Sequence, residues 1–254
     1  MQSPGKTLPP DSALSGTIHR LYVLDYGLFQ VHDDGRVIGV PGYLIQTQAG
    51  LNVLVDTGFP AWYADDPARA SRADGLESFG RVLRLDHSNL PAAQLARIGL
   101  ETGDIGLLVL THTDIDHVGG IAEFPQATIV LGQAERLLAR PRYFGDRSPI
   151  AWPDNVQYRV VHEDTALCPG VALLSTPGHS PGHLSLLVRL PETGAVLLAG
   201  DAISRPAELE EGFADAWDPE RAQASAERLM ATARREGALI IYGHDPAQWN
   251  RLRR

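Results

Sequence analysis

Cysteine is almost missing from this chain of 254 residues, where Cys168 stands alone. No intrachain disulfide can form, and no zinc site built on several thiolates is possible. Any metal must therefore rest on imidazole and carboxylate, and Cys168 itself is expected to be a buried hydrophobe. Basic residues are also scarce, 22 Lys and Arg against 31 Asp and Glu, for a net charge of −9. That balance argues against a nucleic-acid partner, which would need a basic footprint. Long apolar runs are absent as well: nothing approaches the roughly 18 residues of a membrane span. The opening stretch is polar and Pro-rich, without the apolar core of a secretory leader, which predicts a cytoplasmic protein.

What is present suits an α/β enzyme. The hydrophobic share of 44% is enough to pack one substantial core. Residues 1–16 carry three prolines and two glycines without hydrophobic rhythm, and read as a flexible N-terminal arm before a single domain over 17–254. Strand-like runs follow at Ile18–Phe29, Val37–Val40, Tyr43–Thr47 and Leu51–Asp56. Segment 60–88 has weak periodicity and reads as a long loop with short helical turns. Pro91–Gly99 predicts a helix, and the nearly all-apolar Ile105–Leu110 a strand buried on both faces. Thr128–Leu131 reads as a strand and Gln133–Ala139 as a helix. Further strands are expected at Val156–Val161, Val171–Ser175, Leu184–Leu190, Ala195–Ala199 and Leu239–Tyr242. The clearest helix starts at Pro219 behind a capping Asp218 and stops at Gly237. The order suggests two similar α/β lobes sharing one core, with helices on both outer faces.

The strongest local feature is Thr111-His112-Thr113-Asp114-Ile115-Asp116-His117-Val118-Gly119-Gly120. Four candidate ligands fall within six residues, directly after a buried strand. In an extended segment alternate residues point the same way, so His112, Asp114 and Asp116 can project together. His117 would turn back at the start of a helix, and Gly119-Gly120 lets the chain fold tightly around the site. Three more strand exits carry ligand chemistry: Ser175-Thr176-Pro177-Gly178-His179, Leu198-Ala199-Gly200-Asp201 and Tyr242-Gly243-His244-Asp245. Groups at successive strand ends converge on one edge of a sheet, where α/β proteins place their sites.

These motifs resemble the metallo-β-lactamase superfamily, and within it the N-acyl-homoserine lactonases that act in quorum quenching. Leu54-Val55-Asp56-Thr57-Gly58 resembles the family's early motif, whose aspartate supports the site by hydrogen bonding a ligand. Thr176 to His183, Gly200-Asp201-Ala202 and Gly243-His244-Asp245 resemble the lactonase branch closely. The resemblance implies a four-layer αβ/βα sandwich with two divalent metal ions. One would be held by His112, the residue at 114 and His179; the other by Asp116, His117 and His244; Asp201 would bridge them. It implies zinc, and opening of a small-molecule lactone or ester ring by a metal-bridging hydroxide, with Asp116 also shuttling a proton. A homodimer is a further expectation, with the loops after residue 60 a place for its contact.

Three departures stand out. The usual motif has histidine where this chain has Asp114, so the cluster is one charge more negative, a change expected to weaken Lewis acidity and to admit Mn²⁺, Fe²⁺ or Co²⁺. The tyrosine that the branch places three residues beyond the bridging aspartate is here Ser204, whose shorter hydroxyl is the candidate donor to substrate, with Tyr26 a possible substitute. The usual aromatic inside the metal loop is Ile115. Phe29, Trp62, Tyr63, Phe144, Trp152 and Phe213 are candidates for an acyl pocket, and His183 for orienting a ligand. Other readings within the fold are hydrolysis of a different lactone, a thioester, a β-lactam or a phosphoester. A noncatalytic metal-binding domain is the reading outside catalysis.

Overall fold

Alternation along the strands builds the layers. A computed structural model describes residues 17–252 of the chain; the expected arm over 1–16 lies outside them. One sheet holds β1 (Ile18–Val31), β2 (Val37–Thr47), β3 (Asn52–Val55), β4 (Gly80–Arg84), β5 (Leu107–Val109), β6 (Thr128–Gly132) and β7 (Tyr158–Val161), in the order β4-β1-β2-β3-β5-β6-β7. The other holds β8 (Thr165–Cys168), β9 (Val171–Ser175), β10 (Leu184–Leu190), β11 (Gly194–Gly200) and β12 (Leu239–Tyr242), in the order β12-β11-β10-β9-β8.

Val53, Val55, Leu107 and Val109 turn inward and meet Leu184, Leu186, Val188, Val196 and Leu198 of the other sheet. The residues between them face the opposite way, as a period of two requires. Leu54 and Leu108 pack under the helices of the first half, and Leu187, Leu197 and Ala199 under the long helix of the second.

Those outer helices are α1 (Trp62–Asp65), α2 (Pro67–Asp74), α3 (Pro91–Ala96), α4 (Ile115–Val118), α5 (Gln133–Arg136), α6 (Glu208–Glu211), α7 (Pro219–Glu236) and α8 (Pro246–Leu252). In α7, Ala222, Ala226, Leu229 and Ala233 form the buried stripe. Asp218 caps it by accepting from the Arg221 backbone N–H, a contact worth about 1 kcal/mol. Gly237 ends it in the left-handed region. The outcome is the expected helix–sheet–sheet–helix sandwich. Truncating an interior leucine such as Leu54 or Leu198 to alanine costs about 2–5 kcal/mol.

Several elements differ from expectation. Val37–Val40 and Tyr43–Thr47 are one strand, because the β1–β2 register shifts beside Pro41 and lets the ladder continue past it. Segment 60–88 contains an edge strand, β4, whose mostly exposed residues leave no buried alternation to read. β8 and α8 were not anticipated; β8 is a short edge strand and α8 has only one to two turns. The helices at 91 and 133 stop at Ala96 and Arg136, short of the expected ends. Cys168 is buried as expected. Among the described residues no helix is long and apolar enough to cross a membrane.

Candidate metal centre

β3, β5, β11 and β12 all deliver their C-terminal ends to one edge of the sandwich. Asp56 follows β3, His112 to His117 follow β5, Asp201 follows β11, and His244 follows β12. His179 comes from the turn between β9 and β10. Two groups of ligand atoms converge there: His112, His179 and Asp201, and Asp116, His117 and His244. Thus six of the seven predicted ligands fall into two triads. Asp114 lies beside the first, its Oδ2 3.3 Å from His179 Nε2 and 3.6 Å from His112 Nε2.

Asp201 joins the triads. Its Oδ2 lies 3.5 Å from His179 Nε2, 3.9 Å from His112 Nε2 and 3.0 Å from His244 Nε2. Its Oδ1 lies 3.5 Å from His117 Nε2. Asp116 reaches both partners of its own triad, with Oδ1 3.7 Å from His117 Nε2 and Oδ2 3.7 Å from His244 Nε2.

The far nitrogens of three of these rings, His244, His117 and His112, are committed elsewhere, which fixes the tautomer. His244 Nδ1–H donates to the Gly39 carbonyl at 2.7 Å. His117 Nδ1–H donates to Asp56 Oδ2 at 2.9 Å. His112 Nδ1–H donates to Thr111 Oγ1 at 3.1 Å, and that hydroxyl donates to Asp56 Oδ2 at 2.8 Å. Asp56 Oδ1 also accepts from the Thr111 backbone N–H. Asp56 therefore has the supporting role that the resemblance implied. It sits at φ 59°, a conformation costing about 1–3 kcal/mol for a residue with a side chain. Three hydrogen bonds onto one carboxylate hold it there.

Two glycines make room. A Cβ on Gly119 would lie 2.1 Å from the Pro60 nitrogen, so only glycine allows α4 to pass the 58–60 turn. Gly200, at φ +55°, would bring a Cβ to 2.9 Å from His183 Nε2. That nitrogen accepts from the Asp201 backbone N–H at 3.0 Å, while Nδ1–H donates to Thr176 Oγ1 at 2.8 Å. Both ring nitrogens of His183 are thus used. Burial, helped by the neighbouring imidazoles, holds its pKa well below the ordinary value. His183 fixes the backbone at Asp201 and has no ring nitrogen left for a cation.

The donor set fits divalent cations on a physical ground. His112 Nε2, His117 Nε2 and Asp201 Oδ1 are buried without a hydrogen-bond partner. Orphaned buried polar atoms are costly, and orphans in each of the two triads call for cations. Charge agrees. Burial opposes protonation of His244, yet Asp201 and Asp116 overcome it and push its pKa up to about 9. His117 is raised well above normal in the same way, against burial, by Asp116, Asp201 and Asp56. Burial likewise opposes ionisation of Asp201, and the surrounding imidazoles outweigh it to hold its carboxyl well below the usual range.

Above this floor opens a cavity of about 650 Å³. Asp114, Asp116, His179, Asp201, Ser204 and His244 all reach it. The Ser204 carbonyl accepts from His244 N, and its own N–H donates to Glu208 Oε2 at 2.7 Å, so the serine is tied to a ligand. Of the acyl-pocket candidates, Phe29, Phe144 and Phe213 line the wall. Tyr63 does not, because it is buried and donates to Asp74 Oδ2 at 3.0 Å. Trp62 is exposed, and Trp152 packs on Tyr158 and Arg136. Tyr26 cannot replace the missing tyrosine: it is buried, with its OH on the Asp56 carbonyl. Phe59, Leu76 and Phe79 also line the wall and had no periodic signal to mark them. A second unanticipated brace is buried Glu135, which accepts from Thr113 Oγ1 at 2.6 Å and Gly182 N at 3.1 Å. It ties the metal loop to the turn bearing His179.

The sequence pattern of the metallo-beta-lactamase superfamily matches residues 35–244. The chain belongs to that superfamily. It is similar to the N-acyl homoserine lactonase of Bacillus thuringiensis, 32% identical over 218 residues that span 84% of this chain and 85% of the relative. It is also similar to the N-acyl homoserine lactonase AttM of Rhizobium radiobacter, 32% identical over 231 residues, with 84% of each chain covered. Among solved structures, an N-acyl homoserine lactone hydrolase with N-hexanoyl-L-homoserine at its catalytic metal centre superposes with a TM-score of 0.76. That match has 31% identity and covers 92% of this chain and 96% of the other. The chain is closely related to the lactonase branch of metal-dependent hydrolases, and its two groups of ligand atoms could each hold a metal ion.

Proposed function

We propose that this protein opens the ester ring of a lactone, and that its substrate is an N-acyl-homoserine lactone. The observation that carries the reading is Asp201, which belongs to one ligand triad and lies 3.5 Å and 3.0 Å from the His117 and His244 imidazoles of the other, at the floor of a cavity with an aromatic wall. The names of the relatives support the substrate class. Two divalent cations bound there would supply Lewis acidity and lower the pKa of water. Zinc is the first choice, and Mn²⁺, Fe²⁺ and Co²⁺ suit the carboxylate-rich donor set.

The convergence of these side chains, with Asp114 beside His112 and His179, supports a ligand assignment. His112, His179 and the Oδ2 of Asp114 serve one subsite, Asp116, His117 and His244 the other, and Asp201 both. Asp116 lines the cavity and is the group that takes a proton from the attacking water. It returns that proton to the ring oxygen as the bond between the acyl carbon and that oxygen breaks, leaving an alcohol and a carboxylic acid, which loses its own proton to solvent. The Ser204 hydroxyl hydrogen-bonds the substrate, and its tie to Glu208 and His244 positions it. Phe29, Phe79, Phe144 and Phe213 receive the acyl chain and exclude water around it.

The test is a substrate panel on protein of measured metal content: short- and long-chain N-acyl-homoserine lactones, a simple lactone, a thioester, a β-lactam and a phosphoester. The highest kcat/KM should fall on an N-acyl-homoserine lactone. Metal-replete protein that leaves every lactone intact would refute the reading.

A further inference from the structure

With Asp114 included, the two cation subsites have the same donors: two imidazoles, one carboxylate of their own and the shared Asp201. Their surroundings differ. Asp116 is paired with His117 and His244 alone among the ion pairs of the described residues. Asp114 turns Oδ2 toward His112 and His179 but has Arg142 Nε 3.7 Å from Oδ1. Arg142 lines the same cavity, and its Nη1 is buried without a hydrogen-bond partner.

The chain holds this arginine in place by an unusual local structure. Arg142 N donates to Thr113 Oγ1 at 3.0 Å, Tyr143 N to the Thr113 carbonyl at 2.8 Å, and Ile115 N to the Tyr143 carbonyl at 2.9 Å. Residues 142–143 thus run beside the metal loop as a short parallel bridge. Tyr143 adopts φ 69°, strained for an aromatic residue. Its OH donates to buried Asp74 at 2.5 Å, and Asp74 also takes the Tyr63 hydroxyl and the Arg147 guanidinium. Strain maintained from both sides, next to a cation site, fixes where Arg142 can be.

We propose that Arg142 is a positioning residue for Asp114: it clasps one carboxylate oxygen, offsets its charge, and makes the His112–His179 subsite the weaker of the two for divalent cations. The guanidinium repels an incoming cation and draws electron density from the ligand, so that ion stays more Lewis acidic than its donor set alone would leave it. The inference rests on the reading of Asp114 as a donor, and is independent of the substrate.

Calorimetric titration of the metal-free full-length protein with Zn²⁺ tests it, after thermal melts show that each variant is folded. Wild type should bind two ions in two steps. Arg142→Met should tighten the weaker step about tenfold and leave the stronger within about twofold, because a like charge has been removed from one subsite. Arg142→Lys, which keeps the charge, should stay within about threefold of wild type. With Co²⁺ as probe, only the absorption bands of the weaker step should change in Arg142→Met. In Asp114→Asn the weaker step should loosen, and adding Arg142→Met should then tighten it clearly less than in wild type, because only the direct repulsion of the cation remains to be relieved. The inference fails if Arg142→Met leaves the weaker step unchanged or moves both steps equally. It also fails if the methionine variant acts as strongly without the Asp114 charge. If Asp114→Asn alone changes neither step, the donor reading of Asp114 falls and takes the clasp with it.

Discussion

On the floor of the cavity His112, His117 and His244 each commit Nδ1 to a specific acceptor and turn Nε2 to the centre, whereas on the wall Phe79 is 43% exposed and its side chain packs on the rings of Phe29 and Phe144. The floor is positioned by directional bonds from strand ends, and a small displacement there would break several at once. The wall is assembled from separate loops whose common property is apolar surface. Under the proposed function, chemistry belongs to the floor and chain-length preference to the wall. Substitutions in the two regions should fail in different ways.

The largest effect should follow Asp201→Ala. It removes the carboxylate that faces imidazoles of both triads, so hydrolysis should fall to the uncatalysed rate and metal retention below two equivalents per chain. Activity near wild type, measured with elemental analysis of the same sample, would break the bridge assignment. Asp56→Asn comes next. It weakens the orienting bonds to His117 and Thr111, and should loosen metal binding by about 10–100-fold with the fold intact. An unchanged affinity would mean that the α4 backbone alone aims His117.

The floor was largely legible in the sequence because its ligands are chemically conspicuous and sit at strand exits that repeat. His112 to His117 is contiguous, and His179, Asp201 and His244 each follow an apolar run. Tyr26 misled because nothing in a strand pattern says which aromatic is sealed under a neighbouring turn. Phe59, Leu76 and Phe79 were missed because they lie in or beside segment 60–88, whose weak periodicity hides both an edge strand and a wall. Glu135 and Arg142 had no signal either: an acid on a short helix and an arginine in a Pro/Gly-rich excursion look like surface. Only the tertiary fold buries one and sets the other against Asp114.

Phe79→Ala sharpens the contrast from the other side. It removes roughly 1–2 kcal/mol of apolar contact with a long acyl chain, about tenfold in kcat/KM, with little effect on a short chain and none on metal content. Equal losses for short and long chains would place Phe79 outside the acyl pocket.

A smaller effect concerns the metal-free floor. The His244 pKa rises from 6.5 to about 9 on folding, against burial and because of Asp201, and His117 rises in the same direction. A group raised in this way stabilises the fold fully below about pH 6.5, and that contribution is lost as pH climbs through about 9. The melting midpoint of metal-free protein should therefore fall across that window, while metal-loaded protein, whose imidazoles are already deprotonated by ligation, should not follow it. Parallel curves for the two forms would contradict the electrostatic account of the floor.

The most direct test of the two-subsite floor is the rate of N-acyl-homoserine lactone ring opening as metal-free protein is restored stepwise with Zn²⁺. The account predicts that activity keeps rising until two equivalents are bound, and that Asp201→Ala stays inactive throughout. Full activity at one equivalent, or none at two, would contradict it.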